Sequence, residues 1–321
     1  MSFLKKRALL PLLIVTMFVL GLAQVDAISN ESYIYVLPLT SLPYFAPAID
    51  AFKLAGQELG VNTQIMGPPD YNVQELVNAM ETAIVKKPKG IVICAVDTSL
   101  SALIDKASEM GIPVITEDQD LPCKRLAFVG TSNHNAGVVG GENLAQLIGK
   151  KGEVAILTRI GTPGLDARVQ GYKDALAKYP EIHIVQVADT RSDAQVAAQA
   201  AASILQKYPN LKGIACVEAV GGSGVSTALR EANKVGKIVT MAMDREPETI
   251  EAIKDGLITA TVVQRTADMT YWALYLLYSY NHSKLQISNN DKAAGISVLP
   301  VNVDTGTLIL DKDNLNYFMK Q

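Results

Sequence analysis

Histidine and cysteine are scarce in this sequence, with three of each in 321 residues. His134, His183 and His282 lie far apart and lack metal-ligand spacing, so we expect each to be structural, with neither a metal site nor a catalytic histidine. An odd number of cysteines cannot all pair within one chain. Cys94 and Cys216 each lie within an apolar run, which predicts buried thiols that pack as small hydrophobic groups.

Basic charge and catalytic motifs are lacking as well. The chain has 29 Lys and Arg against 32 Asp and Glu, a net charge of −3, so nucleic acid binding has no electrostatic support. No glycine-rich loop ends in Gly-Lys-Ser/Thr, and Gly221–Gly224 matches neither a dinucleotide fingerprint nor a nucleophile elbow. We interpret Gly221–Gly224 as a flexible loop entering a helix, and Ser223 has no evident base. These absences argue against an enzyme and predict no cofactor.

One long uncharged run is present, Ala8–Ala23, and it follows the basic residues Lys5–Arg7. Val25 and Ala27 then occupy the positions that a signal peptidase recognises. A permanent membrane anchor is the alternative, but the run is shorter than the ~20 residues that a spanning helix needs. We therefore expect residues 1–27 to be a cleaved signal peptide and the mature chain to be periplasmic. No cysteine lies near the cleavage point, so no lipid attachment is expected there.

Downstream of this segment, short apolar runs alternate with segments of helical periodicity. Continuous apolar runs such as Ile91–Ala95 and Ile214–Val217 predict strands that are buried on both faces. Helical segments between such strands predict parallel sheets covered by helices. About ten strands exceed one comfortable sheet. The prediction is an α/β fold with two doubly wound domains, each built on a sheet of about five strands.

Polar and aromatic side chains gather where the predicted strands end. The candidate binding residues are Tyr44, Phe45, Asp118, Arg168, Glu218, Asp244 and Gln264. Ligands bind beyond the carboxyl ends of the strands in open parallel sheets. Carboxylates and amides exchange hydrogen bonds with hydroxyls, Arg offers a rigid fork of donors, and aromatic faces pack on sugar rings. The set therefore predicts a site for a polyhydroxyl solute.

Each candidate has a structural alternative. An Asp at a strand end, Asp97 included, can cap the next helix. Arg168 can pair with Asp166 on the surface. Tyr44 and Phe45 can belong to the core, and Gln264 can lie in a solvated turn.

Several short motifs follow one another in a distinctive order. They are Leu42–Phe45, Gly111–Asp118, Val129–Asn133 followed by Gly140-Gly141, Arg168–Tyr172, Met243-Asp244 and Gln264. Their order and spacing resemble the ribose/galactose-type periplasmic sugar-binding proteins of ABC transporters. The resemblance covers the whole mature chain, although each motif alone is only a few residues long.

The resemblance implies an organisation for the chain. A three-crossing hinge near Thr131, Gln264 and Val301 would join the domains and close them on a solute held in the cleft between them. The expected division is a signal peptide, 1–27, an N-terminal domain, 28–131 plus 265–301, and a C-terminal domain, 132–264 plus 302–321. The implied partners are a small solute, a sugar or polyol, and a membrane ABC permease, with the protein itself a monomer.

The resemblance also implies roles for the candidate residues. Tyr44 and Phe45 would stack on the ligand, and the polar candidates would form hydrogen bonds to it, namely Asp118, Arg168, Asp244 and Gln264, with Glu218 as a fifth. Leu42 and Gln119 depart from the ribose type, which has an amide and an arginine there. Cys94 or Ala95 replaces another amide. We therefore expect a ligand other than ribose, and Thr190 would weaken a further stacking position.

Three other functions are alternatives for this sequence. An enzyme of the same fold should show a nucleophile, a metal or a phosphate motif. The ligand-sensing half of a transcription regulator should lack an export signal. A periplasmic partner that presents its ligand to a receptor is not distinguishable from a transport protein by sequence.

Overall fold

Two six-stranded sheets organise the chain in a computed structural model that describes residues 30–291 and 293–318. The predicted signal peptide, 1–27, lies outside the described residues. The first part of the chain supplies five strands, which are β1 Ser32–Val36, β2 Asn62–Met66, β3 Gly90–Ile93, β4 Val114–Glu117 and β5 Ala127–Gly130. Three helices connect these strands, namely α1 Ala46–Leu59, α2 Val73–Val85 and α3 Leu100–Glu109.

The second part of the chain repeats this alternation. Its strands are β6 Gly152–Thr158, β7 Ile182–Asp189, β8 Leu211–Cys216, β9 Val239–Met243 and β10 Ala260–Gln264. Its helices are α4 Asn133–Leu147, α5 Pro163–Leu176, α6 Ala194–Lys207, α7 Ala219–Glu231 and α8 Pro247–Lys254. The chain then adds α9 Thr266–His282, β11 Asn302–Asp304 and β12 Thr307–Asp311.

The strand order is β11-β5-β4-β3-β1-β2 in the first sheet and β12-β10-β9-β8-β6-β7 in the second. All neighbouring strands are parallel except β10 and β12. Separate apolar clusters cover the two faces of each sheet. The predicted α/β class and doubly wound sheets are therefore confirmed, because buried strands joined by helices leave no open face.

Local signals place several helix ends correctly. Gly60 ends α1 with a φ of 64°, in the left-handed region that glycine adopts without strain. Asn72 caps α2, because its Oδ1 accepts a hydrogen bond of 3.1 Å from the Glu75 N–H. Cys94 and Cys216 are buried free thiols, also as predicted.

The glycine-rich segment Gly221–Gly224 is not a flexible loop, and that prediction is wrong. These residues lie inside α7, and its glycines are buried. A Cβ atom on Gly224 would lie 2.6 Å from the Ala197 Cβ and 2.7 Å from the Ala194 carbonyl oxygen. The glycines allow α7 to pack closely on α6, which is a tertiary requirement that local propensity does not reveal.

The chain crosses between the sheets three times: between β5 and α4, at Arg265 between β10 and α9, and between β11 and β12. The third crossing falls at Thr305 and Gly306 instead of after Val301. The reason is that Asn302–Asp304 pairs with β5 in the first sheet. This strand has only three residues and no apolar run, so it could not be predicted from the sequence. The remaining domain boundaries stay a prediction.

Asp304 links the first and third crossings. Its Oδ1 accepts hydrogen bonds from the Ser132 and Gly306 N–H groups at 3.0 and 2.9 Å, and its Oδ2 accepts one from Asn135 Nδ2 at 3.0 Å. Burial alone would raise the pKa of Asp304, but these hydrogen bonds hold it below its usual value. An ionised Asp304 therefore fastens the start of α4 to the end of the first sheet.

Within the described residues, the helices are too short or too polar to cross a membrane.

Candidate functional site

Two aspartates occupy matching positions at the carboxyl ends of the two sheets. Asp118 follows β4 with a φ of 56°, and Asp244 follows β9 with a φ of 66°. The left-handed region is uncommon for residues other than glycine, and Asp tolerates it best. The backbone N–H of Asp118 donates to the Val129 carbonyl oxygen, and that of Asp244 donates to the Val262 carbonyl oxygen. The same turn thus directs one carboxylate from each sheet towards the space between them.

Asp118 is held by side chains of the first sheet. The Tyr44 hydroxyl donates to Asp118 Oδ1 at 2.7 Å, and the Cys94 thiol donates to Asp118 Oδ2 with a distance of 3.7 Å. Burial raises the pKa of Asp118, while the Tyr44 hydrogen bond and the charge of Arg168 oppose the rise. Phe45 lies edge-on to Tyr44, with ring centroids 5.0 Å apart, and is nearly fully buried in the core. Phe45 is therefore part of the core, and its stacking on a ligand stays a prediction.

Arg168 projects from α5 into the region between the two aspartates. Its Nε donates to Asn133 Oδ1 at 2.7 Å, and its Nη1 donates to the Val217 carbonyl oxygen at 3.0 Å. Only 8% of Arg168 is exposed. Its charge lowers the pKa of both Asp118 and Asp244, against the larger effect of burial. Arg168 is therefore the cation that the two sheets share, and it does not pair with Asp166 on the surface.

Asp244 and Gln264 form the opposite side of the site. Gln264 Nε2 donates to Asp244 Oδ1 at 3.0 Å, and the Thr261 hydroxyl donates to the Asp244 carbonyl oxygen at 2.7 Å. Asp244 and Gln264 are both buried, so Gln264 is not in a solvated turn. Burial raises the pKa of Asp244, and the nearby charge of Asp118 adds to this effect. The two carboxylates therefore repel each other electrostatically.

Glu218 lies at the start of α7 but does not cap it. Its carboxylate accepts hydrogen bonds from the Thr190 hydroxyl and, at 2.6 Å, from the Ser192 hydroxyl. Thr190, which the sequence analysis regarded only as a weakened stacking position, thus orients a candidate binding residue. The Val217 carbonyl that Arg168 contacts immediately precedes Glu218 in the chain, so Glu218 lies one residue from the backbone of the site.

Sequence reasoning missed a second buried carboxyl group beside Asp118. Glu117 is 1% exposed, and its Oε1 accepts a hydrogen bond of 2.5 Å from the Tyr35 hydroxyl. Burial and the neighbouring Asp118 charge raise the pKa of Glu117. The available sequence signal was its position, because a glutamate at the end of an apolar strand is expected to be buried and to need a hydrogen-bond partner. Asn133, the partner of Arg168, was also missed as a site residue.

Asp97 lies outside this cluster. Its Oδ1 accepts a hydrogen bond from the Ser99 N–H at 2.9 Å, in the turn that leads into α3. Asp97 thus stabilises this turn by its side chain, while the N-cap residue of α3 is Ser99. Of the seven candidates, hydrogen bonds and charge interactions link five, namely Tyr44, Asp118, Arg168, Asp244 and Gln264. Phe45 packs on Tyr44, and Glu218 is bound to Thr190 and Ser192.

The two sheets contribute carboxylates, an arginine and an amide to one site. Such groups bind polar solutes, as expected for a two-domain solute-binding protein. Residues 33–284 match the family described as periplasmic binding protein domain, and the chain belongs to this family. The chain is 28% identical to the D-allose-binding periplasmic protein of Escherichia coli K12, over 78% of this chain and 85% of that protein.

Solved structures give the same assignment. The chain resembles AraP, an arabinose-binding protein from Geobacillus stearothermophilus, with 34% identity, a TM-score of 0.85 and coverage of 91% and 100% of the two chains. A solute-binding protein from Burkholderia graminis C4D1M in complex with D-arabinose is 31% identical, with a TM-score of 0.73 over 92% and 99% of the chains. These relatives are binding proteins, so the chain is a solute-binding protein of ABC transport, and the non-enzymatic interpretation is confirmed.

Proposed function

We propose that this protein captures a sugar between its two domains and delivers it to a membrane ABC permease as a monomer, after export and removal of residues 1–27. The carrying observation is that Asp118 and Asp244, at the carboxyl ends of opposite sheets, both lie within range of the charge of the buried Arg168. Such a site offers acceptors on both sides and donors from Arg168 and Gln264. A ring or chain of hydroxyls can use both kinds of group at once.

The proposed solute is an aldose, with arabinose first. Arabinose is named for two structural relatives that are more than 30% identical to this chain. Tyr44 supports an aromatic contact to the sugar, whereas Phe45 supports Tyr44 from the core. Glu218, oriented by Thr190 and Ser192, is proposed to accept from a further hydroxyl.

The two domains are proposed to close on the sugar. A sugar that is bound by Asp118 and Tyr44 on one side and by Asp244 and Glu218 on the other stabilises only the closed arrangement. We expect the radius of gyration from small-angle scattering to fall when L-arabinose, D-arabinose, D-allose or D-xylose saturates the protein. A calorimetric titration of the same panel identifies the sugar and gives its affinity. Conversion of the sugar, or saturation without any change in scattering, would contradict this mechanism.

Asp244→Ala is expected to weaken sugar binding about 5- to 150-fold, which corresponds to roughly 1–3 kcal/mol. The substitution removes the acceptor for a sugar hydroxyl and leaves Gln264 Nε2 without its partner. Calorimetry with the best-binding panel sugar measures the loss. Asp313→Ala is the matched control, because Asp313 is exposed on the same domain. An unchanged affinity in Asp244→Ala would remove Asp244 from the site.

A further inference from the structure

Glu246 lies on the same loop as Asp244, two residues further along the chain. The loop runs from the end of β9 to the start of α8, at the edge of the second sheet that faces the site. Glu246 precedes Pro247 in extended conformation, with φ −54° and ψ 154°, and its side chain makes no capping hydrogen bond to α8. Glu246 therefore does not cap the helix with its side chain, which is the usual role of an acidic residue at this position.

The Glu246 carboxyl group has a buried oxygen atom without a partner. No hydrogen-bond donor among the described residues reaches Oε2, although solvent does not reach it either. Buried polar atoms in proteins are nearly always paired, because an unpaired one loses its hydration without compensation. Pairing of this oxygen therefore requires a donor that the described residues do not supply.

The charges around Glu246 also disfavour its ionised form. Burial is the main cause that raises its pKa, to about 7, and the nearby carboxylate of Asp244 adds to it. Glu248 acts in the same direction, while Arg245 opposes. Cations on the packed elements lie at the far end of α8, where Arg230 pairs with Asp255 and Lys312 approaches Gly256. Among the described residues, no Lys or Arg forms a salt bridge with this carboxyl group.

We propose that Glu246 is a further sugar-binding residue, whose Oε2 accepts a hydrogen bond from a hydroxyl group of the bound sugar. This inference rests on the proposed function and extends the second-domain side of the site beyond Asp244. A hydroxyl is the appropriate donor because it satisfies the oxygen without adding a buried charge. The ionised carboxylate is the stronger acceptor, so the bound sugar lowers the pKa of Glu246. Affinity then rises as the pH increases through 7 and levels off above it.

The test compares Glu246→Gln with Glu248→Gln, an exposed neighbour on the first turn of α8. Calorimetric titrations use the sugar of the panel that binds the unchanged protein best, beginning with L-arabinose, between pH 5.5 and 8.5. At pH 8 we expect Glu246→Gln to bind about tenfold more weakly. The difference should shrink as the pH falls below 7, because the unchanged protein then also carries a neutral group. Glu248→Gln should match the unchanged protein at pH 8, where Glu246 is ionised in both, and its pH profile should shift slightly to lower pH because Glu248 helps to raise the pKa of Glu246.

Thermal stability without sugar separates binding from a structural role. The pKa of Glu246 is raised above its unfolded value of 4.5, so ionisation destabilises the folded state as the pH rises from the unfolded to the folded pKa. Glu246→Gln should therefore melt at a higher temperature than the unchanged protein at pH 8, with the gap closing towards pH 5. A structural role predicts the opposite shift in melting temperature.

The outcomes are distinct. Weaker binding with a higher melting temperature supports the inference. Equal affinities at every pH, affinity that falls as the pH rises, or a lower melting temperature for Glu246→Gln would overturn it and leave the sugar-binding function intact. Failure of the unchanged protein to bind any panel sugar would overturn both.

Discussion

Replacing Arg168 with methionine is expected to weaken sugar binding by at least a factor of about 100, which equals about 2.7 kcal/mol. Arg168 is the buried cation whose charge acts on both Asp118 and Asp244. Without it, two carboxylates remain in a desolvated site with no cation between them. A buried charge that loses its compensating charge is costly. Methionine keeps much of the side-chain length, so the loss reports the charge and its hydrogen bonds.

The measurement is calorimetry with the panel sugar that the unchanged protein binds best. Arg230→Met is the matched control, because Arg230 lies on α7 of the same domain and pairs only with the exposed Asp255. A surface pair of this kind contributes about 0–1 kcal/mol, so the control should keep its affinity. If Arg168→Met binds within a factor of about three of the unchanged protein, Arg168 is not the shared cation of the binding site.

A change of pH should partly restore binding in Arg168→Met. The arginine lowers the pKa of Asp118 and Asp244, so its removal allows burial to raise both pKa values further. Acidic conditions then neutralise the two carboxyl groups and relieve their repulsion. The affinity of the variant should therefore improve as the pH falls, relative to that of the unchanged protein at the same pH.

The positions of the site residues could be predicted from sequence because strand ends are visible in it. Asp118, Asp244 and Gln264 each end an apolar run, and parallel strands bring their carboxyl ends to one edge of a sheet. Strands without an apolar run could not be predicted from the sequence. The polar strand β2 lies at the edge of the first sheet, and β11 has only three residues.

The partners of the site residues could not be predicted, because they depend on tertiary packing. Asp166 and Arg168 are neighbours in sequence, but residues two apart on a helix face different directions. The partners of Arg168 are Asn133 on α4 and the Val217 carbonyl after β8. Similarly, the hydroxyl that orients Glu218 comes from Thr190, at the end of another strand. Such pairings follow from strand order and helix contact, which no local pattern encodes.

The contact between α4 and α5 determines where Arg168 lies, and it depends on glycine. A Cβ atom on Gly171 of α5 would lie 2.1 Å from the His134 carbonyl oxygen, and one on Gly137 of α4 would lie 2.0 Å from the Arg168 carbonyl oxygen. Both distances involve backbone atoms, which cannot rotate away as a side chain can. The two helices are therefore in backbone contact, and Asn133 meets Arg168 across this contact.

Gly171→Ala is accordingly expected to destabilise the protein by about 3 kcal/mol, at the upper end of the usual cost of overpacking. For a protein of this size, such a loss lowers the melting temperature by roughly 5 °C. Gly164→Ala on the same helix is the control, since its Cβ would meet only the Asn133 side-chain amide, at 3.0 Å. That amide can shift, and alanine favours the helix, so the control should melt near the unchanged protein. Equal melting temperatures for Gly171→Ala and Gly164→Ala would show that α4 and α5 can separate without cost, and Arg168 would then need another support for its position between the sheets.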